Sequence, residues 1–370
     1  MVLLEDFQHR LSVTCRAGNI RDVLAYKGHS MSEAMVFGVA NSLSFYYVLP
    51  DETLERSEYV LISGNSHLGL EDVASNLSLS YETWLPESEE QKWKHVRELL
   101  EAGHPVFMDA VLSMYMHHLR ATPLFGMGGS AAEREGFVSN WDDMFSRLQI
   151  PAGTHLAVVI GLDEEKGEAY IIENNLSGIQ TVPIRVLAEA SNPKMDVTLH
   201  PQGRYSIYNI PQELPALAQT ISRAIPMTMQ SFLGGDFPWR GIGALDRLAR
   251  DLRHWPEMLP MEFVENSMHM IYYVSEVASG GGLYRRLYSR YLKEAAAICG
   301  DDRLAAVSKE YQVLAKQWRT FTKGLSDGAG RAAETLRSES LNDLIGEIAA
   351  QERKAAETLA EWLPGGELAR

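Results

Sequence analysis

The sequence predicts two domains, an α+β domain over residues 1–211 and an all-α helical domain over residues 212–370. Two patterns carry that reading. Up to residue 211, short apolar runs with strand character alternate with stretches of three-and-four apolar spacing. From Leu214 onward every segment has helical spacing: Leu214 to Leu233, Ile242 to His254, Glu262 to Val277, Leu283 to Cys299, Arg303 to Leu325 and Ala332 to Trp362. Gly234-Gly235, Pro256, Gly280-Gly281-Gly282 and the glycines between 324 and 330 divide them. A chain of 370 residues is also long for a single hydrophobic core.

The first predicted helix follows Thr14, a suitable N-cap. Ile20, Val23 and Leu24 give it an amphipathic spacing, and Gly28 ends it. Cys15 therefore falls in the first turn, where unpaired N–H groups and the helix dipole favour a thiolate, and Arg16 adds a positive charge. Ser30-Met31-Ser32-Glu33 fits a capping box before Ala34 to Val39. Strands are expected over Ser42 to Val48 and Glu58 to Ser63, a short helix over Leu70 to Leu77 and an edge strand over Leu79 to Leu85. Glu89 to Ala102 reads as a charged amphipathic helix. Pro105 to Leu112 reads as a buried strand carrying Asp109. Thr154 to Gly161 and Glu168 to Asn175, joined by the acidic turn Asp163 to Gly167, form a hairpin. His155 at one strand's start and Glu173-Asn174 at the other's end are then neighbours. Val182 to Ala190 and a strand over Tyr205 to Ile210 close the domain.

Composition narrows the function class. A net charge of -15 argues against a nucleic-acid binder, since phosphate recognition depends on Lys and Arg, and suits a cationic or amine-bearing substrate. Two cysteines, Cys15 and Cys299, cannot build a disulfide framework, so a reducing, cytoplasmic setting is expected. Acidic residues stand where a signal peptide would be basic, and no run of about 18 apolar residues suggests a membrane span.

Cys15, His155 and then Glu173 or Asn174 supply, in chain order, a nucleophile, a proton carrier and a group to orient the imidazole. Cysteine acyl-transfer chemistry needs these types, and papain-like folds place them in this order across a helix-first, sheet-later domain. Gln8 precedes Cys15 by seven residues and is a candidate oxyanion donor beside the Cys15 N–H. Glu33 and Asp109 are candidate acidic contacts for a substrate amine. The adjacent His117 and His118 diverge, so a shared metal is not expected, and Gly126-Met-Gly-Gly-Ser130 lacks a P-loop lysine. Arg120 to Gly153 is a candidate lid. Arg247, Arg250, Arg253, Arg285, Arg286 and Arg290 give the helical half a basic character suited to an acidic partner protein. Leu341, Leu344, Ile345 and Ile348 offer a face for a second subunit.

Cys15 to Gly28, Ser32 to Gly38, Gly103-His-Pro-Val-Phe-Met-Asp109 and His155 to Asp163 resemble the butirosin biosynthesis protein H N-terminal family, which usually carries His where this chain has Thr14. Gly243 to Trp255, Gly280 to Arg286 and Tyr291 to Ala296 are similar to the helical domain of unknown function often found behind it. The resemblance implies a papain-like cysteine acyltransferase of secondary-metabolite, antibiotic-type biosynthesis. Its acyl donor would be an acyl carrier protein thioester and its acceptor an amine-bearing small molecule. Cys15 takes the nucleophile's place, His155 the base's, and Glu173 the orienting acid's, with Asn174 close behind. Thioester to amide is downhill, so no cofactor is expected. The same residues would serve a cysteine hydrolase, and a non-catalytic scaffold is the third reading.

Overall fold

The computed structural model describes residues 1–52, 59–66, 69–115, 118–119, 154–174, 176–194, 200–235 and 237–362. The candidate lid from Arg120 to Gly153, its Gly126 to Ser130 run, and His117 lie outside the described residues. Two compact units form: Met1–Glu33 with Ser78–Leu214, and Ala34–Leu77 with Pro215–Arg370.

The first unit is mixed α and β. In chain order it contains β1 (Val2–Leu3), α1 (Cys15–Tyr26), β2 (Ser80–Trp84), α2 (Glu89–Glu101), β3 (Val106–Val111), α3 (Leu112–Tyr115) and β4 (Thr154–Asp163). After these come β5 (Glu168–Ile172), β6 (Gln180–Pro183), α4 (Ile184–Ser191) and β7 (Tyr205–Asn209). Seven strands make one antiparallel sheet in the order β2-β7-β3-β4-β5-β6, with β1 pairing on β4. Leu156 to Leu162 are buried without interruption, as expected of a central strand covered on both faces, and α1 and α2 pack against it. The expected hairpin forms between β4 and β5, with Asp163 opposite Glu168 and Val158 opposite Ile172 and a one-residue shift of register between Val159 and Gly161. Among the described residues β2 pairs only with β7 and is the edge strand the sequence indicated.

Helix α1 differs from its amphipathic expectation. Every residue from Ala17 to Leu24 is buried, including Asn19, Arg21 and Asp22. The polar side chains find protein partners instead of water. Asn19 Nδ2 donates to the Leu156 carbonyl at 2.6 Å, and Asp22 accepts from His9 at 2.8 Å, from Arg21 at 2.8 Å and from the Arg10 N–H at 3.1 Å. Burial alone would raise the Asp22 carboxyl, but those donors hold it below the usual carboxylate range.

The second unit departs from the expected boundary at residue 211. The strands Leu43–Val48 and Leu61–Asn65 pair with each other in a separate two-stranded antiparallel sheet, and Tyr46 adds an isolated antiparallel bridge to Arg240. Helices Leu217–Leu233 and Gly241–Asp251 cover the first strand, and Met261–Tyr272 packs on the second. An isolated two-stranded hairpin is marginal in water, so it needs such cover. The Val60 N–H donates to Ser267 Oγ at 2.8 Å, and Tyr47 OH donates to Asp251 at 3.2 Å while accepting from Trp255 at 3.0 Å. The composition shift at 211 therefore marks where helices begin, while residues 34–77 pack among those helices.

Other details of the helical half also differ from expectation. Ala332 to Trp362 is two helices, Ala332–Leu336 and Glu339–Ala360. Asn342 Nδ2 donates to the carbonyls of Leu336 and Ser338, both at 2.8 Å, and so ties the break between them. Leu341, Ile345 and Ile348 are buried within this unit, so the face expected to meet a second subunit is covered by the chain itself. Of the basic cluster, Arg285 is buried, and Arg247 pairs with Glu52 and Asp251; Arg250, Arg286 and Arg290 are exposed. No helix among the described residues is long and apolar enough to cross a membrane.

Candidate functional site

Thr14 has extended backbone angles, φ -115 and ψ 134, and its Oγ1 accepts the Ala17 N–H at 2.9 Å. That cap makes Cys15 the first residue of α1, half-buried at the positive end of the helix. Burial acts to raise the Cys15 thiol. Against it act the charge of His155, its hydrogen bond to the sulfur, the charge of Arg16 and the Leu156 N–H, and together they bring the thiol below its ordinary value.

His155 is the second residue of β4, opposite Ala110 of β3. Its Nε2 lies 2.5 Å from Glu173 Oε2, which leaves Nδ1 for the Cys15 hydrogen bond. Burial would lower the imidazole, but the charges of Glu173 and Cys15 and its hydrogen bonds to both raise it well above the ordinary value. The two shifts run in opposite directions, each group favouring the charged form of the other. The His155 side chain is 14% exposed and that of Glu173 is 0%, so the ring can meet a substrate while the carboxylate stays sealed beneath it. The second carboxylate oxygen is held as well: Tyr115 OH, at the end of α3, donates to Glu173 Oε1 at 2.5 Å.

The remaining candidates separate by task. Glu173, not Asn174, bonds the imidazole. Asn174 forms a clamp with Ser12 instead: its carbonyl accepts the Ser12 N–H at 2.7 Å, and its Nδ2 donates to the Ser12 carbonyl at 3.2 Å. This fixes the segment before Cys15 to the residue after Glu173, so nucleophile and acid are set relative to each other. Gly18 permits the approach, because a Cβ there would lie 1.7 Å from Ser12 Oγ. Glu33, expected as a substrate contact, uses Oε1 to accept the Val13 and Thr14 N–H groups, each at 2.8 Å, and so braces the entry to α1. Asp109 is paired with Arg16 at 3.0 Å, each about one-fifth exposed beside the nucleophile. Gln8, the candidate oxyanion donor, is exposed. The adjacent side chain, His9, is instead held between Asp22 and the Leu176 carbonyl.

Sequence reasoning passed over Tyr115 and Asn19. Tyr115 stands one helical turn beyond the end of a strand, a position with no local signature. Asn19 lies one turn after Cys15 on the same side of α1, and that i,i+4 spacing was the available clue. Through it the α1 backbone is fastened to Leu156, whose N–H meets the Cys15 sulfur.

Two families match the chain. The butirosin biosynthesis protein H N-terminal family matches residues 14–129, and a domain of unknown function (DUF4872) matches residues 187–359. No curated protein matches it. The first match contains Cys15, Glu33, Asp109 and Tyr115 and stops short of His155 and Glu173, which the fold brings to them. The chain thus carries a butirosin biosynthesis protein H N-terminal domain, followed by a domain of unknown function.

Proposed function

We propose that this protein is a cysteine-dependent acyltransferase on a papain-like frame. In this reading it passes an acyl group from a carrier-protein thioester to an amine through an acyl-Cys15 intermediate, in cytoplasmic secondary-metabolite biosynthesis. The observation that supports it most is the lowered Cys15 thiol in contact with a raised His155 whose far nitrogen rests on a sealed carboxylate. The family match supports a biosynthetic role.

The steps balance with the chain's own groups. The Cys15 thiolate attacks the thioester carbonyl, the bond to the carrier sulfur breaks, and the His155 imidazolium gives its proton to the departing thiolate. Neutral His155 then takes a proton from the incoming amine as its nitrogen attacks the acyl carbon. Cys15 leaves as thiolate and the pair is restored. The Cys15 N–H, at the start of α1, is the nearest backbone donor for the oxyanion. Asp109, paired with Arg16 next to the nucleophile in the chain, is the acidic group that would meet the incoming amine.

Incubation with an acylated carrier protein is expected to add the acyl mass to the intact chain, and added amine is expected to discharge it as amide. Release only as free acid at millimolar amine would make the protein a hydrolase on the same residues. Acylation is also expected to follow a bell-shaped pH profile. The acid limb, where the thiolate is protonated, lies below the ordinary thiol range because Cys15 is lowered. The alkaline limb, where the imidazolium loses its proton, lies above the ordinary imidazole range because His155 is raised. An acid limb at an ordinary thiol value would contradict the ion pair.

A further inference from the structure

Glu173 has two carboxylate oxygens in a fully buried position, and among the described residues each has one donor: His155 Nε2 on Oε2 and Tyr115 OH on Oε1, both at 2.5 Å. Tyr115 is itself 0% exposed. Its ring is anchored by α3, which follows β3 directly and packs against α4, and its hydroxyl takes the carboxylate oxygen that the imidazole does not. We infer that Tyr115 is a positioning residue that acts through Glu173: its hydroxyl fixes the carboxylate's rotation and satisfies its second oxygen, and thereby sustains the charge that keeps His155 protonated against the Cys15 thiolate. This deepens the acyl-Cys15 reading and rests on it.

A bare carboxylate oxygen in a sealed site is costly, and the site has few other ways to satisfy it. Among the described residues, the ionisable groups around this cluster are Cys15 and Arg16 on α1, Asp109 on β3, His155 on β4 and Glu173 after β5; α4, packed on α3, adds the exposed Arg185 and Glu189. Arg16 is engaged by Asp109. Without the tyrosine hydroxyl, the carboxyl is free to turn from the ring, which weakens its hold on the imidazolium. Tyr115 stays a donor throughout the working pH range, because burial first and the Glu173 charge second raise its hydroxyl well above the ordinary phenol value.

The test reads the Cys15 titration directly, by thiolate absorbance and iodoacetamide rate against pH, with C15A as the blank. Wild type is expected to titrate below an ordinary thiol. Y115F keeps the ring and removes only the hydroxyl. It is expected to move the titration up by about one pH unit, a roughly tenfold slower alkylation at pH 6. In an E173Q background the same change is expected to have no further effect. A titration in folded Y115F equal to wild type overturns the inference, as does an equal shift in both backgrounds. Failure of both Y115F and Y115L to fold also overturns it, since the tyrosine would then be a structural requirement. An ordinary wild-type thiol would instead sink the acyl-Cys15 reading itself, so the two failures are distinguishable.

Discussion

Cys15→Ala is expected to lose the acyl adduct entirely and to lower amide formation by about 10⁴-fold or more, the scale on which removal of a covalent nucleophile acts. The fold should survive the change. Helix α1 is capped by Thr14 and braced by Glu33, the Asn174–Ser12 clamp and Asn19, none of which uses the sulfur. Cys15→Ser is a stricter probe, because it leaves an atom able to bond His155. A hydroxyl is not ionised by an imidazole in the ground state, so the thiolate–imidazolium pair disappears and acylation is expected to fall almost as far. Cys299→Ala is the control and should keep the adduct. Intact-mass measurement after exposure to an acylated carrier protein reads all three; an adduct that persists in C15A would remove Cys15 from the chemistry.

The parts of this site written in local sequence were legible. A threonine before a three-and-four apolar spacing specifies a helix start, and with it the placement of Cys15. An acidic glycine turn between two apolar runs specifies a hairpin, and with it the proximity of His155 and Glu173. Which of Glu173 and Asn174 meets the ring was not legible, because that depends on how the chain leaves β5 and not on composition. The buried polar face of α1 was hidden for a related reason. Asn19, Arg21 and Asp22 look like a solvated face until the segments carrying His9, Leu11 and Leu156 are laid over them. Residues 34–77 had the same difficulty at larger scale. Their strands carry ordinary strand patterns, and nothing local says that the surface they bury lies on helices beginning some 140 residues later.

The pairing that fastens those strands to the helices makes the largest stability prediction. Arg285 and Glu352 are both 0% exposed, with Nε and Oε1 2.6 Å apart. Arg285 Nη1 also donates to the carbonyls of Ser44 at 3.1 Å and Leu283 at 2.8 Å, with that of Gly64 at 3.4 Å, and Trp318 Nε1 donates to the same Glu352 oxygen at 2.9 Å. Gly64 is required here, because a Cβ would stand 2.4 Å from the Leu283 carbonyl oxygen. Glu352→Ala leaves a buried guanidinium without its counter-charge and an indole N–H without its acceptor. The expected loss is about 3–5 kcal/mol, the usual scale for breaking one side of a buried pair. At roughly 2–4 °C per kcal/mol for a domain of this size, melting should fall by on the order of 10 °C. Glu352→Gln keeps an oxygen for both donors and should fall in between, which separates the charge from the geometry. Replacing both partners by apolar residues often costs little in a buried pair. Here the double variant Arg285→Met with Glu352→Leu is expected to remain well below wild type, because the carbonyls of Ser44 and Leu283 would lose their donor and stay buried. Thermal and urea unfolding of the single and double variants decides this, and a double variant as stable as wild type would mean that the guanidinium contributes nothing beyond neutralising the acid.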